Sequence, residues 1–272
     1  MKRFPVGMLF LTLALILPML GAGRSASAAK LEYIEATGIF NICANPEALP
    51  YTSEEAQQPG FQLELHDAIA KALGWRQSVT WAYNRPAGGR QDCGGWMSMI
   101  VAPDMLRPRG YLGTEPYMGS GLVIVAPPGA NTHADSLAAF LDEPAFRNGG
   151  AVGIALGAWI GGLIEGHGVK TIGFVEQTDI IEGVRTGHVS AGVVKREDAE
   201  WYLARQPGAY SVFEIYKLDP RFRWNIAIGL RKSDQALVER VNGVLERMRA
   251  DGTVQAIVEK YGIQYLPPFP IN

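Results

Sequence analysis

The chain of 272 residues carries 25 Lys+Arg, 27 Asp+Glu, four His and two Cys, with 47% apolar and 19% charged residues. That length and apolar content supply a real hydrophobic core in one or two domains and exclude a disordered chain or a charge-laced coiled coil. A net charge of −2 with no basic stripe excludes a bulk nucleic-acid binder, because phosphate recognition needs a surplus of Lys and Arg.

Met1-Lys2-Arg3 is a short basic start. Residues 6–20 are apolar save for Gly7, Thr12 and Pro18, and Ala26-Ser27-Ala28 has the A-x-A form of a cleavage site. This is the pattern of a cleaved secretory signal peptide over residues 1–28, not of a membrane anchor. The run is shorter than the ~20 residues a span needs, and Pro18 interrupts it. Cleavage after Ala28 removes three basic and no acidic side chains, leaving 244 residues with a net charge of −5. The expected product is an acidic, periplasmic protein. In an oxidising compartment Cys43 and Cys93 are expected to form a structural disulfide. They are not a C-x-x-C pair and no His lies at ligand spacing, so neither a redox motif nor a metal site is expected.

Residues 38–44 read as a buried strand that ends in Asn45-Pro46 and Leu49-Pro50-Tyr51, a turn-rich loop. Gly60-Phe61 opens a helix through Leu73, with Leu65, Ala68, Ile69, Ala72 and Leu73 at a 3.6-residue period and Gly74 as its stop. Strands are expected at 78–83 and 96–101, with a Gly- and Arg-rich loop over 84–95. Residues 121–126, closed by Pro127-Pro128-Gly129, form a crossover. Alternation follows: strand 151–155, helix 157–165, strand 171–175, helix 178–186, strand 190–194, helix 196–204 and short strand 212–215. This order argues a mostly parallel sheet covered on both faces. Residues 225–230 form a second crossover, and Ser233 caps a long helix with Leu237, Val241, Leu245 and Met248 on one face. Asp251-Gly252 breaks it. A last helix reaches about residue 261, and 266–269 is an irregular tail. Two α/β units joined by two crossing segments imply two lobes with a cleft and a hinge: 29–125 in lobe 1, 126–224 in lobe 2, and 225–272 returning to lobe 1.

Tyr51, Trp81, Tyr83, Trp96, Tyr117 and Trp159 are aromatic candidates for the cleft or, equally, for the core. Gly157-Ala158-Trp159 is a candidate anion cradle at a helix start. Arg85, Arg90, Arg107 and Arg109 are candidates for a basic rim, or for a solvated surface. His66, His133, His167 and His188 read as surface side chains, and the acidic pairs Glu176/Asp179 and Glu197/Asp198 as solvent-facing. No Walker loop, EF-hand or G-x-S-x-G occurs.

Gly60-Phe61, Glu64-Leu65, Ala68-Ile69-Ala70, Leu73-Gly74, Thr114-Glu115-Pro116-Tyr117 and Gly153 with Gly157 come in an order that resembles periplasmic solute-binding proteins of family 3, type II class. Arg231-Lys232-Ser233-Asp234, Leu237, Val241-Asn242, Leu245, Asp251-Gly252 and Lys260-Tyr261-Gly262 continue it. The resemblance implies a two-lobed α/β fold, two mainly parallel sheets flanked by helices and joined by two crossover strands. Cys43-Ala44-Asn45-Pro46 with Leu49-Pro50-Tyr51, and a Cys at 93, are further similar to the solute-binding-like J proteins associated with quinoprotein dehydrogenases of methanol-oxidation systems. Two departures bear on function. Where amino-acid-binding members carry an Arg for the ligand carboxylate, this chain has Pro108, flanked by Arg107 and Arg109. Where they carry an Asp for the ligand ammonium, it has Lys195, with Asp198 one helical turn on; the resemblance makes Lys195 and Asp198, with Arg107 and Arg109, candidates for the cleft.

The resemblance implies an accessory factor that binds a periplasmic PQQ-dependent methanol or alcohol dehydrogenase, with or without its cytochrome c, and helps mature or activate it. No cofactor and no catalysis are expected of the chain itself, and a monomer is expected. The alternative is the receptor of an ABC importer, binding a small polar solute and docking on its permease. An enzyme on this fold, such as a dehydratase, finds no nucleophile or carboxylate cluster to support it.

Overall fold

A computed structural model describes residues 30–55, 57–83, 93–103, 110–231 and 235–270. The signal segment, Arg85, Arg90, Arg107, Pro108, Arg109 and the Ser233 cap lie outside the described residues.

A short helix α1 (Leu31–Thr37) precedes strand β1 (Ile39–Ala44), which runs parallel to β4 (Arg76–Trp81). Between them stand a small antiparallel hairpin, β2 (Glu47–Ala48) with β3 (Thr52–Ser53), and helix α2 (Phe61–Ala72). Strands β5 (Gly95–Val101), β6 (Tyr111–Gly113) and β7 (Met118–Ala126) follow. The second unit holds α3 (Leu137–Leu141), α4 (Pro144–Arg147), β8 (Ala151–Ala155), α5 (Ile160–Gly166) and β9 (Lys170–Phe174). It continues through α6 (Gln177–Arg185), β10 (Ala191–Lys195), α7 (Arg196–Arg205), β11 (Ser211–Phe213) and α8 (Ile215–Leu218). Strand β12 (Arg223–Arg231) returns to the first unit, which α9 (Gln235–Ala250) and α10 (Thr253–Glu259) complete.

Two separate apolar cores define the two lobes. One unites Ile34, Phe40, Phe61, Leu65 and Ile69 with Ile228, Leu237, Val241 and Leu245. The other unites Val123, Ile124, Phe140, Val152, Ile180, Val193 and Phe213. The stripe read for the helix after Ser233 is the face α9 buries. The expected parallel strands lie at the heart of each lobe, β4 on β1 and β9 and β10 on β8. The crossing strands add antiparallel pairs, because the chain passes between the lobes once in each direction. β7 pairs with β12 through residues 118–121 and with β10 through residues 122–125. The two crossings therefore touch over four residues.

Element ends shift where pairing, not composition, decides them. The 78–83 strand sits at Arg76–Trp81, in register with β1 from Ile39. The 157–165 helix starts at Ile160, and Ile215, expected in a strand, begins α8. The tail is irregular but docked. Gly119 N–H donates to the Leu266 carbonyl, and Asn225 exchanges two hydrogen bonds with the Phe269 backbone. Leu266 and Phe269 pack on the second core. A Cβ at Gly119 would stand 2.8 Å from the Pro267 carbonyl oxygen, so the close approach of the tail to β7 needs glycine there. Among the described residues no helix is long and apolar enough to cross a membrane.

Candidate functional site

The residues after β1 build one wall of the cleft. Asn45 Oδ1 accepts from the Glu47 N–H, and the Asn45 carbonyl accepts from Thr52 Oγ1, so the Asn-Pro signal closes the β2–β3 hairpin. Cys43 is disulfide-bonded to Cys93, which ties the end of β1 to the segment before β5. Phe61 N–H donates to the Pro50 carbonyl and Gln62 N–H to the Tyr51 carbonyl, docking the hairpin on the start of α2. Gly60 has φ +93°, and a Cβ there would lie 2.3 Å from the Tyr51 carbonyl oxygen. Only glycine allows that approach. Its N–H donates to the Tyr261 hydroxyl, which in turn donates to Glu64. The Gly60-Phe61 motif thus positions Tyr51.

The opposite wall is the junction of β10 and α7. Arg196, Glu197 and Asp198 form the first turn of α7, and all three are buried. This corrects the expectation that Glu197 and Asp198 face solvent. A helix start favours carboxylates, and here each one meets partners from distant parts of the chain. Glu197 Oε2 accepts from Ser120 Oγ at 2.9 Å and lies 3.3 Å from the Tyr51 hydroxyl. Its other oxygen pairs with Arg196 at 3.2 Å. The Arg196 guanidinium also binds Glu200 and the Gln264 carbonyl. The Tyr51 hydroxyl makes its shorter bond, 3.0 Å, to Asp198 Oδ2. Burial raises the Asp198 carboxyl above its ordinary range, against the pull of Lys195 and of the Tyr51 hydroxyl. Burial and the two carboxylates push the Tyr51 phenol well up. Lys195 completes the set: its Nζ lies 3.4 Å from Asp198 Oδ2 and 4.1 Å from the centre of the Tyr51 ring.

Of the residues expected in the cleft, Tyr51, Lys195 and Asp198 come together across the lobes. Tyr117 does not join them: it is fully buried in lobe 1, donating to the Met97 carbonyl and accepting from Gln62. Trp81 packs on the first core, and Trp96 is half-buried in β5. Trp159 is exposed and stacked on Phe222. Gly157 and Ala158 lie before α5, a helix of seven residues that begins only at Ile160. His66 corrects the surface reading. It is buried against Phe40, its Nδ1 accepts from Gln77, and burial lowers it to about 3. Arg196, Glu197, Glu200 and Ser120 carry no signal as a group in the sequence. An Arg-Glu-Asp run directly after an apolar strand is their only local mark.

Outside this closed centre the cleft remains open. A pocket of about 290 Å³ borders Leu49, Tyr83, Glu176, Gln177, Lys195 and Asp198. It adjoins a second of about 540 Å³ where Glu47, Glu54 and Glu55 face Tyr83, Trp201 and Tyr202. Among the described residues no cluster of three or more His, Cys, Asp or Glu is arranged to hold a metal ion.

Two lobes, two crossing strands and a cleft between them define a periplasmic binding protein of the two-lobed type. The chain belongs to the bacterial extracellular solute-binding proteins, family 3, whose model matches residues 40–264. No curated protein sequence matches it. Among solved structures it is similar to an ancestral cationic amino acid solute-binding protein, AncCDT-1, at TM-score 0.68 and 22% identity, covering 85% of this chain and 98% of that one. XoxJ, a periplasmic binding protein from Methylobacterium extorquens AM1, matches at TM-score 0.62 and 16% identity over 84% and 99% of the two chains. The L-cystine solute receptor of Neisseria gonorrhoeae, in its unliganded open conformation, matches at TM-score 0.62 and 16% identity over 88% and 98%. These likenesses establish the shared fold.

Proposed function

We propose that this chain is a periplasmic accessory protein that associates with a PQQ-dependent methanol or alcohol dehydrogenase and helps mature or activate it. It carries no quinone, metal or electrons and catalyses no reaction of its own. The observation that supports the reading most is the closed centre of the cleft. Tyr51 meets Glu197 and Asp198 across the lobes, and Lys195 brings a cation where an α-amino acid would need a carboxylate for its ammonium. The loop that does this is the Cys43 to Tyr51 segment, the part that resembles the dehydrogenase-associated proteins. Its disulfide with Cys93 holds the segment's base. The test is co-elution of the purified chain with a purified quinoprotein dehydrogenase, together with the dehydrogenase activity of a strain lacking the gene. A stable complex and reduced activity are expected. A chain encoded beside a permease and an ATPase, with no dehydrogenase nearby, overturns the reading.

A second reading rests on the outer cleft. Glu47, Glu54 and Glu55 line it beside three aromatic rings, with no Lys or Arg among the described lining residues. That lining suits a small cationic solute delivered to an ABC permease, and the ancestral protein named for cationic amino acids shares the fold. A thermal-shift panel of arginine, lysine and diamines tests it: a large shift with one of them supports import.

A further inference from the structure

We infer that Lys195 is an intramolecular occupant of an ammonium site formed by the face of Tyr51 and the carboxylate of Asp198, and that the site accepts a free primary ammonium compound once the lysine is withdrawn. This holds under either functional reading, because it concerns only what fills the centre of the cleft.

The geometry is that of cation recognition. An aromatic face and a carboxylate converging on one nitrogen are the two groups that hold a desolvated ammonium. The Lys195 Nζ lies 4.1 Å from the Tyr51 ring centre and 3.4 Å from Asp198 Oδ2. Tyr51 is 8% exposed and Asp198 4%, so both are fixed groups of the wall and not surface side chains that happen to meet. The Lys195 side chain is 36% exposed and opens on the pocket of about 290 Å³. It reaches its seat along a flexible four-carbon stem from the end of β10. The nitrogen also ties the lobes, since Tyr51 belongs to the first and Asp198 to the second. Truncating the lysine leaves an anionic, aromatic-walled hole of the length of its own stem, next to a pocket with room for the body of a ligand.

The probe is n-butylammonium, with 1-butanol as its neutral control, titrated calorimetrically into the wild-type chain, Lys195→Ala and Lys195→Met. Lys195→Ala is expected to bind n-butylammonium about tenfold or more tighter than wild type does and to ignore 1-butanol. Lys195→Met keeps the stem in the hole and is expected not to bind. Adding Asp198→Asn to Lys195→Ala is expected to abolish the gain. Equal binding of n-butylammonium by wild type and Lys195→Ala overturns the inference.

A measurement on the wild-type chain is independent of whether any variant folds. Reductive methylation followed by mass spectrometry is expected to modify Lys195 at least about tenfold more slowly than Lys71, because a nitrogen held between a ring and a carboxylate is rarely free to react. Lys71 pairs with Asp67, but its side chain is 72% exposed and that of Asp67 37%, so this is a surface pair that exchanges readily with water. Equal rates overturn the inference.

Discussion

The hydroxyl of Tyr51 stands 3.0 Å from Oδ2 of Asp198, and the two residues belong to different lobes. With the Ser120 bond to Glu197 and the Lys195 amine over the Tyr51 ring, that contact closes the cleft at its centre with the protein's own side chains.

Tyr51→Phe keeps the ring under Lys195 and removes only the hydroxyl. A hydrogen bond to a buried carboxylate is lost, so stability should fall by about 1–3 kcal/mol. Urea unfolding followed by tryptophan fluorescence measures it. The substitution should leave the disulfide and the α2 docking unchanged, since both rest on cysteine sulfurs and backbone groups.

Arg196→Met leaves the fully buried Glu197 without its cation and removes the guanidinium from Glu200, which keeps its bond from the Gln264 N–H. The expected loss is about 3–5 kcal/mol. Adding Glu197→Gln should recover part of it, because the carboxylate no longer lies uncompensated. A double-mutant cycle from urea midpoints gives the coupling.

Acid should act on the lobes through two opposing signs. Burial lowers His66 from 6.5 to about 3, so its contribution is complete above pH 6.5 and is lost as pH falls through that window. At pH 4.5 the loss from this residue is about 2–3 kcal/mol. Burial raises Asp198 and Glu200, whose contributions run the other way and are lost as pH rises through their raised values. His66→Leu should therefore flatten the fall in Tm between pH 7 and pH 4.5. Asp198→Asn should make that fall steeper, by removing a group that gains stability on protonation.

Gly60→Ala places a Cβ 2.3 Å from the Tyr51 carbonyl at a backbone position of positive φ. A loss of at least about 2 kcal/mol is expected, as for backbone strain combined with a steric clash. Gly74→Ala is the control. It shares a positive φ of 75°, but a Cβ there meets nothing within 4 Å, so its cost should be smaller.

The fold is legible wherever a segment's own pattern decides its structure. The apolar runs of β1, β5 and β8, the 3.6-residue stripes of α2 and α9, and the two crossings all announce themselves. Helix α1 does not, because Ile34 is its one buried side chain and no stripe forms. The site is legible on one wall only. The Asn-Pro and Pro-Tyr signals mark the Tyr51 hairpin, and the departure at Lys195 is visible against the family pattern. Glu197 reads as solvent-facing in the sequence because its partners, Tyr51, Ser120 and Arg196, come from both lobes. A helix N-terminus gives no local sign of which face another domain will cover. Tyr117 carries the same Pro-Tyr signal as Tyr51, yet lies inside lobe 1, where Gln62 and the Met97 carbonyl satisfy its hydroxyl.

The most direct test of the closed cleft is calorimetric titration of the wild-type chain with the common α-amino acids, arginine and glutamine included. No saturable heat is expected with any of them, because the Lys195 amine already lies between the Tyr51 ring and Asp198. A saturable isotherm of micromolar affinity with any α-amino acid would contradict the closed cleft.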